Sequence, residues 1–214
     1  MIKHNKALAI FQFKEEIKSE LINFFSNNLA IIINDINLID DFIKQNSAKI
    51  IDKKIFLQGK DYAYELLPYK NIKARIEPGA IIREGAIIED NAIILMNATI
   101  NTGAHIGSNT MVDMGTVIGS NAQIGRNCHI GANAVIAGVL EPPSKSPVVI
   151  EDNCFIGANS VVLEGVRIGH DSIIGALTLV NKDVPSNSIV YGIPGKIHKS
   201  IHAKEKCKLN EELR

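Results

Sequence analysis

From residue 76 to residue 184 the chain counts in sixes. Ile76, Ile82, Ile88, Ile94, Ile100, Ile106, Val112, Ile118, Ile124, Ile130 and Ile136 share one period, which resumes after a single interruption at Ile150, Ile156, Val162, Ile168, Ile174 and Val180. All 17 positions are β-branched, so the repeat outranks local propensity as a guide to architecture. Four residues after each of them stands a mostly small side chain, from Ala80, Ala86 and Ala92 through Thr110, Cys128 and Cys154 to Ser172 and Thr178. Such residues can share a narrow interior with the large branched one. One position earlier is Gly, Asn or Asp in 15 of the 17 hexads, the residues that tolerate a left-handed backbone. Each hexad therefore predicts a short strand closed by a sharp corner. Three sides make a coil of 18 residues, and coils stacked at about 4.8 Å pair as parallel strands.

The expected fold class is mainly β: a parallel β-helix of hexapeptide repeats whose prism-shaped core is filled by the repeated Ile, Val and small residues. Residues 76–185 form this prism, with five to six coils. Residues 1–75 do not follow the hexad and read as a small α/β domain. Apolar residues at helical spacing predict helices over Glu15–Phe25 and Ile36–Gln45, and short strands are predicted at Leu29–Ile33 and Ile50–Leu57. Residues 186–214 hold a turn-rich exit, Tyr191-Gly192-Ile193-Pro194-Gly195, and a predicted terminal helix from Lys199 to Leu213.

The one break in the repeat lies between Ile136 and Ile150, where residues 142–149 must leave the prism as a loop. Glu141-Pro142-Pro143-Ser144-Lys145-Ser146-Pro147 carries three prolines, which cannot donate into a strand ladder and favour a stiff, extended arm. An arm on an otherwise regular scaffold points to contact with a neighbouring subunit or a substrate.

Charge bounds the partners. The formal net charge is zero, so there is no electrostatic footprint for nucleic acid. Residues 76–185 carry 5 basic and 11 acidic side chains, flanked by more basic ends; a basic tail suits a carrier with several phosphates, and equally a solvated helix. Cys128, Cys154 and Cys207 lack the spacing of a zinc site or a disulfide framework. The first 20 residues lack the shape of a signal peptide, and the longest apolar run, Leu29–Ile33, is too short to span a bilayer. The expectation is a cytoplasmic protein with no membrane partner and no metal.

The quoted residues resemble the hexapeptide-repeat acyltransferases and, within them, the tetrahydrodipicolinate N-acetyltransferases of diaminopimelate and lysine biosynthesis. The similarity is carried by Ile72–Arg83, Met111-Val112-Asp113-Met114-Gly115, Asn127-Cys128-His129-Ile130-Gly131-Ala132, Ala137-Gly138-Val139-Leu140-Glu141-Pro142-Pro143-Ser144 and Pro147–Asp152. The Glu-Pro-Pro-Ser stretch is far more specific than the hexads. The resemblance implies left-handed coiling, a homotrimer with sites between chains, and acetyl-CoA as co-substrate. It implies acetyl transfer to the amine of L-2-amino-6-oxopimelate, the open form of tetrahydrodipicolinate.

An ammonium cannot attack a thioester, so such a reaction needs a group that takes up the amine proton and a means of stabilising the oxyanion. The register places Met111 one coil below His129, which puts Asp113 and His129 near one vertical edge. The resemblance ranks Asp113 first as general base, although an aspartate pKa near 3.9 is low for the task. His129 has the better intrinsic pKa, and either residue could instead be a surface side chain. The related succinyltransferases carry a second glutamate where Val161 stands here, with Glu141 and Glu164 as candidate replacements. Arg126 is a candidate for a substrate carboxylate. The resemblance also assigns Ala158 and Ala176 to the pantetheine arm, and Lys182 and Lys196 to the phosphates. The exit Gly192-Ile193-Pro194-Gly195-Lys196 has lysine where arginine is usual, keeping the charge but not the bidentate fork. Leu177 stands where glycine is usual; a leucine in a left-handed corner costs about 1–2 kcal/mol, which points to another conformation there.

Cys128 invites a covalent acyl-enzyme, but its small inward position opposes thiolate formation. A succinyltransferase, another hexapeptide acetyltransferase and a non-catalytic trimeric scaffold are the alternatives. A zinc hydrase on the same solenoid would need histidines that His105, His129 and His170 do not supply at the required spacing.

Overall fold

The structure, a computed structural model, describes residues 5–57, 59, 63–139 and 146–200. The chain divides into two compact units, Met1–Glu65 and Leu66–Arg214.

In the first unit, strand β1 (Lys6–Phe13) runs antiparallel between β3 (Leu29–Asp35) and β4 (Ile50–Leu57), and β2 (Phe24–Ser26) extends the sheet beside β3. Helix α1 (Ile36–Asn46) begins at Asp35, whose side chain accepts the Asn37 N–H at 2.9 Å, a conventional N-cap. Its Ile39 and Phe42 are buried with Ala7, Ala9, Phe11 and Phe13 of β1; the Phe42 ring lies 5.5 Å from Phe11 and 6.2 Å from Phe13. The expected strands at Leu29–Ile33 and Ile50–Leu57 and the helix at Ile36–Gln45 are present. The helix expected at Glu15–Phe25 is not. Asn23 N–H bonds the Ile31 carbonyl, and the Asn23 side chain accepts the Ile33 N–H. Pairing with β3 thus satisfies a backbone that helical apolar spacing alone had assigned to a helix. β1 was not anticipated, though its alternation of buried Ala7, Ala9, Phe11 and Phe13 is a strand period.

In the second unit, 17 two-residue strands from Arg75–Ile76 to Leu179–Val180 stack into three parallel faces. One face runs Ile87–Ile88, His105–Ile106, Gln123–Ile124, Val149–Ile150, Arg167–Ile168. The next carries Arg75–Ile76, Ile93–Ile94, Met111–Val112, His129–Ile130, Phe155–Ile156 and Ile173–Ile174. The third carries Ile81–Ile82, Thr99–Ile100, Val117–Ile118, Val135–Ile136, Val161–Val162 and Leu179–Val180. Register is strict: Met111 pairs with His129 and His129 with Phe155, spanning the insertion without a slip. The repeated Ile and Val and the small residues between them form one continuous core.

Most polar members of the small inward position are satisfied from above. The hydroxyls of Thr110, Thr116 and Ser160 donate to the carbonyls of Gly125, Gly131 and Gly175 at 2.7, 3.0 and 2.9 Å. The Cys128 thiol likewise reaches the Glu151 carbonyl at 3.1 Å.

Fifteen of the predicted corner residues have positive φ, among them Asn91, Asn121 and Asn159. Leu177 is one of them at φ 60°, contrary to the expectation that it would avoid the left-handed region. Its N–H bonds the Ala158 carbonyl at 3.0 Å, so the inter-coil bond overrides the local preference. Asp183 is not left-handed; its carboxylate instead accepts the Arg167 N–H.

The insertion rejoins the prism earlier than residue 149. Val148 is fully buried with its carbonyl bonded to the Gln123 N–H, and Val149 lies in a strand; residues 140–145 lie outside the described residues. At the far end Ser188–Tyr191 pairs with Ile173–Ile174, and an antiparallel strand Lys196–Ser200 closes the face. Lys199 and Ser200 are therefore in a strand and not in the expected terminal helix, whose remaining residues, 201–213, lie outside the described set.

Carboxylates clamp one coil to the next. Glu89 accepts the Ser108 N–H and bonds His105 Nε2, each at 2.8 Å. Glu151 repeats the arrangement with the His170 N–H at 2.8 Å and the Arg167 guanidinium. The His170 N–H, and then Arg167, hold the Glu151 carboxyl below its ordinary range despite partial burial.

Ile118 is fully buried in mid-prism, so Ile118→Asp places an unpaired charge in a continuous apolar core; the expected outcome is loss of the folded state, read as collapse of the β signal in circular dichroism. Because the Glu151 pKa is depressed on folding, its contribution to stability is full above its unfolded value, about 4.3, and is lost as pH falls through the folded value. Glu151→Gln should therefore lower the melting temperature at pH 7 and flatten its fall below about pH 4.3, measured by thermal melts from pH 3 to 7.

Candidate active site

The prism has three vertical edges, and one of them brings together Asp113 and His129. Asp113 follows the strand Met111–Val112, at the first position of its corner. His129 stands on the outward side of the strand directly above Met111. The register thereby brings His129 Nε2 to 3.8 Å from Asp113 Oδ2. This is too long for a hydrogen bond and within ion-pair range. The two side chains are 19% and 20% exposed, accessible enough for a substrate and sheltered enough for charge to matter. Asp113 Oδ1 accepts the Met114 N–H at 2.7 Å, fixing the carboxylate plane. On the other side of the imidazole, Phe155 stacks in parallel with ring centroids 4.8 Å apart. The sequence reading did not single out Phe155; its in-register position above His129 was the available signal.

Above Asp113 the same corner position becomes Gly131, Gly157 and Gly175. An added Cβ at Gly157 would meet the Ala176 nitrogen at 2.4 Å, and one at Gly131 the Ala158 nitrogen at 2.7 Å, so close backbone approach excludes side chains there. Beside these glycines lie Ala132, Ala158 and Ala176. Their N–H groups have no hydrogen-bond partner among the described residues. The edge above Asp113 is thus a smooth shelf with spare donors. Below, the corresponding residues Met114 and Met96 are exposed methionines.

The other predicted residues are placed elsewhere. Arg126 sits on a different edge, where its N–H and guanidinium bond Asp152 at 2.8 and 2.9 Å; this contact raises its pKa and lowers that of Asp152, the Arg126 N–H contributing most to the latter. With Glu89, His105, Glu151 and His170 it lines a groove of about 580 Å³ on the five-stranded face. Glu164 and the exposed Lys182 lie on the third edge, where the insertion leaves, and Lys196 is exposed at the start of the closing strand. Glu141 lies outside the described residues. Within one chain, then, Arg126 and Glu164 do not share an edge with Asp113, whereas Ala158 and Ala176 do. Cys128 is fully buried, which leaves it no access to a thioester. Among the described residues no group of three or more His, Cys, Asp or Glu could hold a metal ion.

Comparison with known proteins agrees with this architecture. The signature described as the hexapeptide repeat of succinyl-transferase matches residues 85–120 and 147–178, and that of the bacterial transferase hexapeptide (six repeats) matches residues 103–138. A 2,3,4,5-tetrahydropyridine-2,6-dicarboxylate N-acetyltransferase of Clostridium perfringens is 48% identical over 191 residues, 88% of this chain and 81% of that protein. The enzyme of the same name from Enterococcus faecalis is 48% identical over 206 residues, 95% and 88% of the two chains. Among solved structures, a perosamine N-acetyltransferase mutant from Caulobacter crescentus in complex with CoA and GDP-perosamine superposes with a TM-score of 0.55 at 26% identity, covering 60% of this chain and 58% of that one. The hexad prism, the Asp113–His129 edge and this extent of identity lead to one conclusion: the chain belongs to the 2,3,4,5-tetrahydropyridine-2,6-dicarboxylate N-acetyltransferases, a branch of the left-handed β-helical hexapeptide-repeat transferases.

Proposed function

We propose that this protein transfers the acetyl group of acetyl-CoA to the amine of L-2-amino-6-oxopimelate, the open form of tetrahydrodipicolinate, in the cytoplasmic route to diaminopimelate and lysine. The observation that carries the site assignment is the Asp113–His129 pair at the foot of a glycine–alanine shelf. Acetyl-CoA is long and thin, and a shelf along a prism edge can hold its pantetheine arm extended. The spare N–H groups of Ala158 and Ala176 suit the amide carbonyls of that arm. Lys182 and Lys196 are the cations for its phosphates, although they must reach it from other parts of the last coils.

With the thioester beside Asp113, the attacking amine loses its proton to the pair. His129 Nε2 accepts the proton, and the Asp113 carboxylate stabilises the imidazolium that forms; alternatively Asp113 accepts it directly. The proton then leaves with the CoA thiolate, so the base is restored and free CoA is released. No acyl-enzyme is required. The dicarboxylate substrate needs cations near this edge, and Arg126 lies on another edge of the same chain. In a homotrimer a neighbouring subunit can bring such groups to Asp113, which also gives the proline-rich arm a partner to reach.

Asp113→Asn should keep acetyl-CoA binding and lose turnover by about 10²–10⁴-fold, measured as CoA release with tetrahydrodipicolinate. His129→Gln is its pair: a loss confined to His129→Gln would make the histidine the base and Asp113 its orienting partner, and a loss below tenfold in both would overturn the assignment. Running the same assay with succinyl-CoA tests the donor; acetyl-CoA is expected to be the faster by at least tenfold.

Light scattering at micromolar concentration should give three times the 23.3 kDa chain mass. Deleting residues 142–147 should weaken that assembly or abolish turnover, and a fully active trimer after the deletion would remove the arm's role.

A further inference from the structure

A base has to present one nitrogen along one line, yet a histidine on the outward side of a strand can turn about two bonds. His129 is held. Phe155, its in-register partner in the next coil, lies over the imidazole with ring centroids 4.8 Å apart and only 6° between the planes. That separation is the strand spacing itself, so two flat side chains in one column stack with no distortion of the backbone. From the coil below, Met111 is the in-register partner on the other side. The imidazole thus has an in-register rung on each side, and a ring from one of them stacks on it. The stack leaves two orientations, related by a half-turn about the last side-chain bond. In the structure Nε2 is on the Asp113 side, 3.8 Å from Oδ2.

We infer that Phe155 is a positioning residue for acetyl transfer: its ring fixes the plane of the His129 imidazole so that Nε2 stays aligned with Asp113 and the substrate amine. This rests on the proposed role of the Asp113–His129 pair. Phe155 is itself only partly buried and points away from the core, so its replacement leaves the prism interior untouched. It also lies off the Gly-Ala shelf proposed for acetyl-CoA. Its contribution is therefore to the rate of the chemical step and not to donor binding, since misalignment of a reacting group by about 1 Å can cost up to 10²-fold.

The test compares Phe155→Leu, which keeps apolar bulk but has no flat face, with Phe155→Tyr, which keeps the face. Phe155→Leu should lower kcat about five- to thirtyfold with the KM for acetyl-CoA and the melting temperature unchanged, and Phe155→Tyr should restore at least half of the wild-type kcat. The stack has its own spectroscopic signature. The imidazole proton resonances of His129, assigned by their loss in His129→Gln, should be shifted upfield by the ring current in wild type and Phe155→Tyr and should relax downfield in Phe155→Leu. Wild-type kcat in Phe155→Leu, equal impairment of the Leu and Tyr variants, or resonances that do not move would each overturn the inference. If His129→Gln keeps wild-type turnover, the base assignment is what fails and the positioning role falls with it. If His129→Gln is inactive and Phe155→Leu is unimpaired, the base assignment stands and the inference about Phe155 alone is lost.

Discussion

The hydrogen bond from one coil to the next is the constraint on which the prism depends. A strand of two residues cannot stand alone, and each is held by N–H groups that reach the carbonyls of the coil above, as Met111 reaches Cys128 and Asp113 reaches Ile130, both at 2.9 Å. Because the stacking is in register, every side chain lies over its counterpart and the molecule becomes a set of columns. A column of isoleucine and valine is self-complementary in shape, which is why the interior tolerates so little else. An outward column is freer, and the one running Arg75, Ile93, Met111, His129, Phe155, Ile173 places His129 between two apolar neighbours. The approach of His129 to Asp113 is therefore a product of the same register that fills the core.

The same bonds set the corners and the interior polar groups. Leu177 accepts a left-handed backbone worth about 1–2 kcal/mol of strain, because its N–H would otherwise lose the Ala158 carbonyl. The inward hydroxyls are satisfied as long as another corner carbonyl lies overhead. Thr178 marks where that ends: its hydroxyl is buried and has no partner among the described residues. The coil that should cover it is replaced by the exit turn and the strand Lys196–Ser200. The position that is structurally routine in Thr110, Thr116 and Ser160 thus becomes an uncompensated polar group at the cap of the prism.

The prism was legible because its period is set by backbone geometry and repeated 17 times. Strand placement, the inward column and the lateral proximity of Asp113 and His129 all follow from counting. Two kinds of feature escaped. Edge strands in a small sheet depend on partners distant in sequence, so Asn23 and its pairing with β3 could not outweigh the helical spacing of Ile17, Leu21 and Phe24. Corner side chains escaped as well, because counting assigns Arg126 a height on the prism but not a partner. The structure gives it Asp152, and the pair faces a groove on another face. Counting also cannot tell that Glu89 and Glu151 are staples between coils.

That last distinction is what separates Asp113 from Glu89, Glu151 and Asp152. Glu89, Glu151 and Asp152 each accept an N–H from a neighbouring coil and pair with a cation or imidazole as well. Their charge is committed to holding rungs together, and their lowered pKa values are the consequence. Asp113 is built differently. One of its oxygens is tied only to the next residue in its own corner, and the other faces the imidazole across 3.8 Å. Replacing Asp113 would therefore unfasten no rung. A sequence presents all of these acids as corner carboxylates in an acidic prism; the inter-coil hydrogen bonds show which of them fasten one coil to the next.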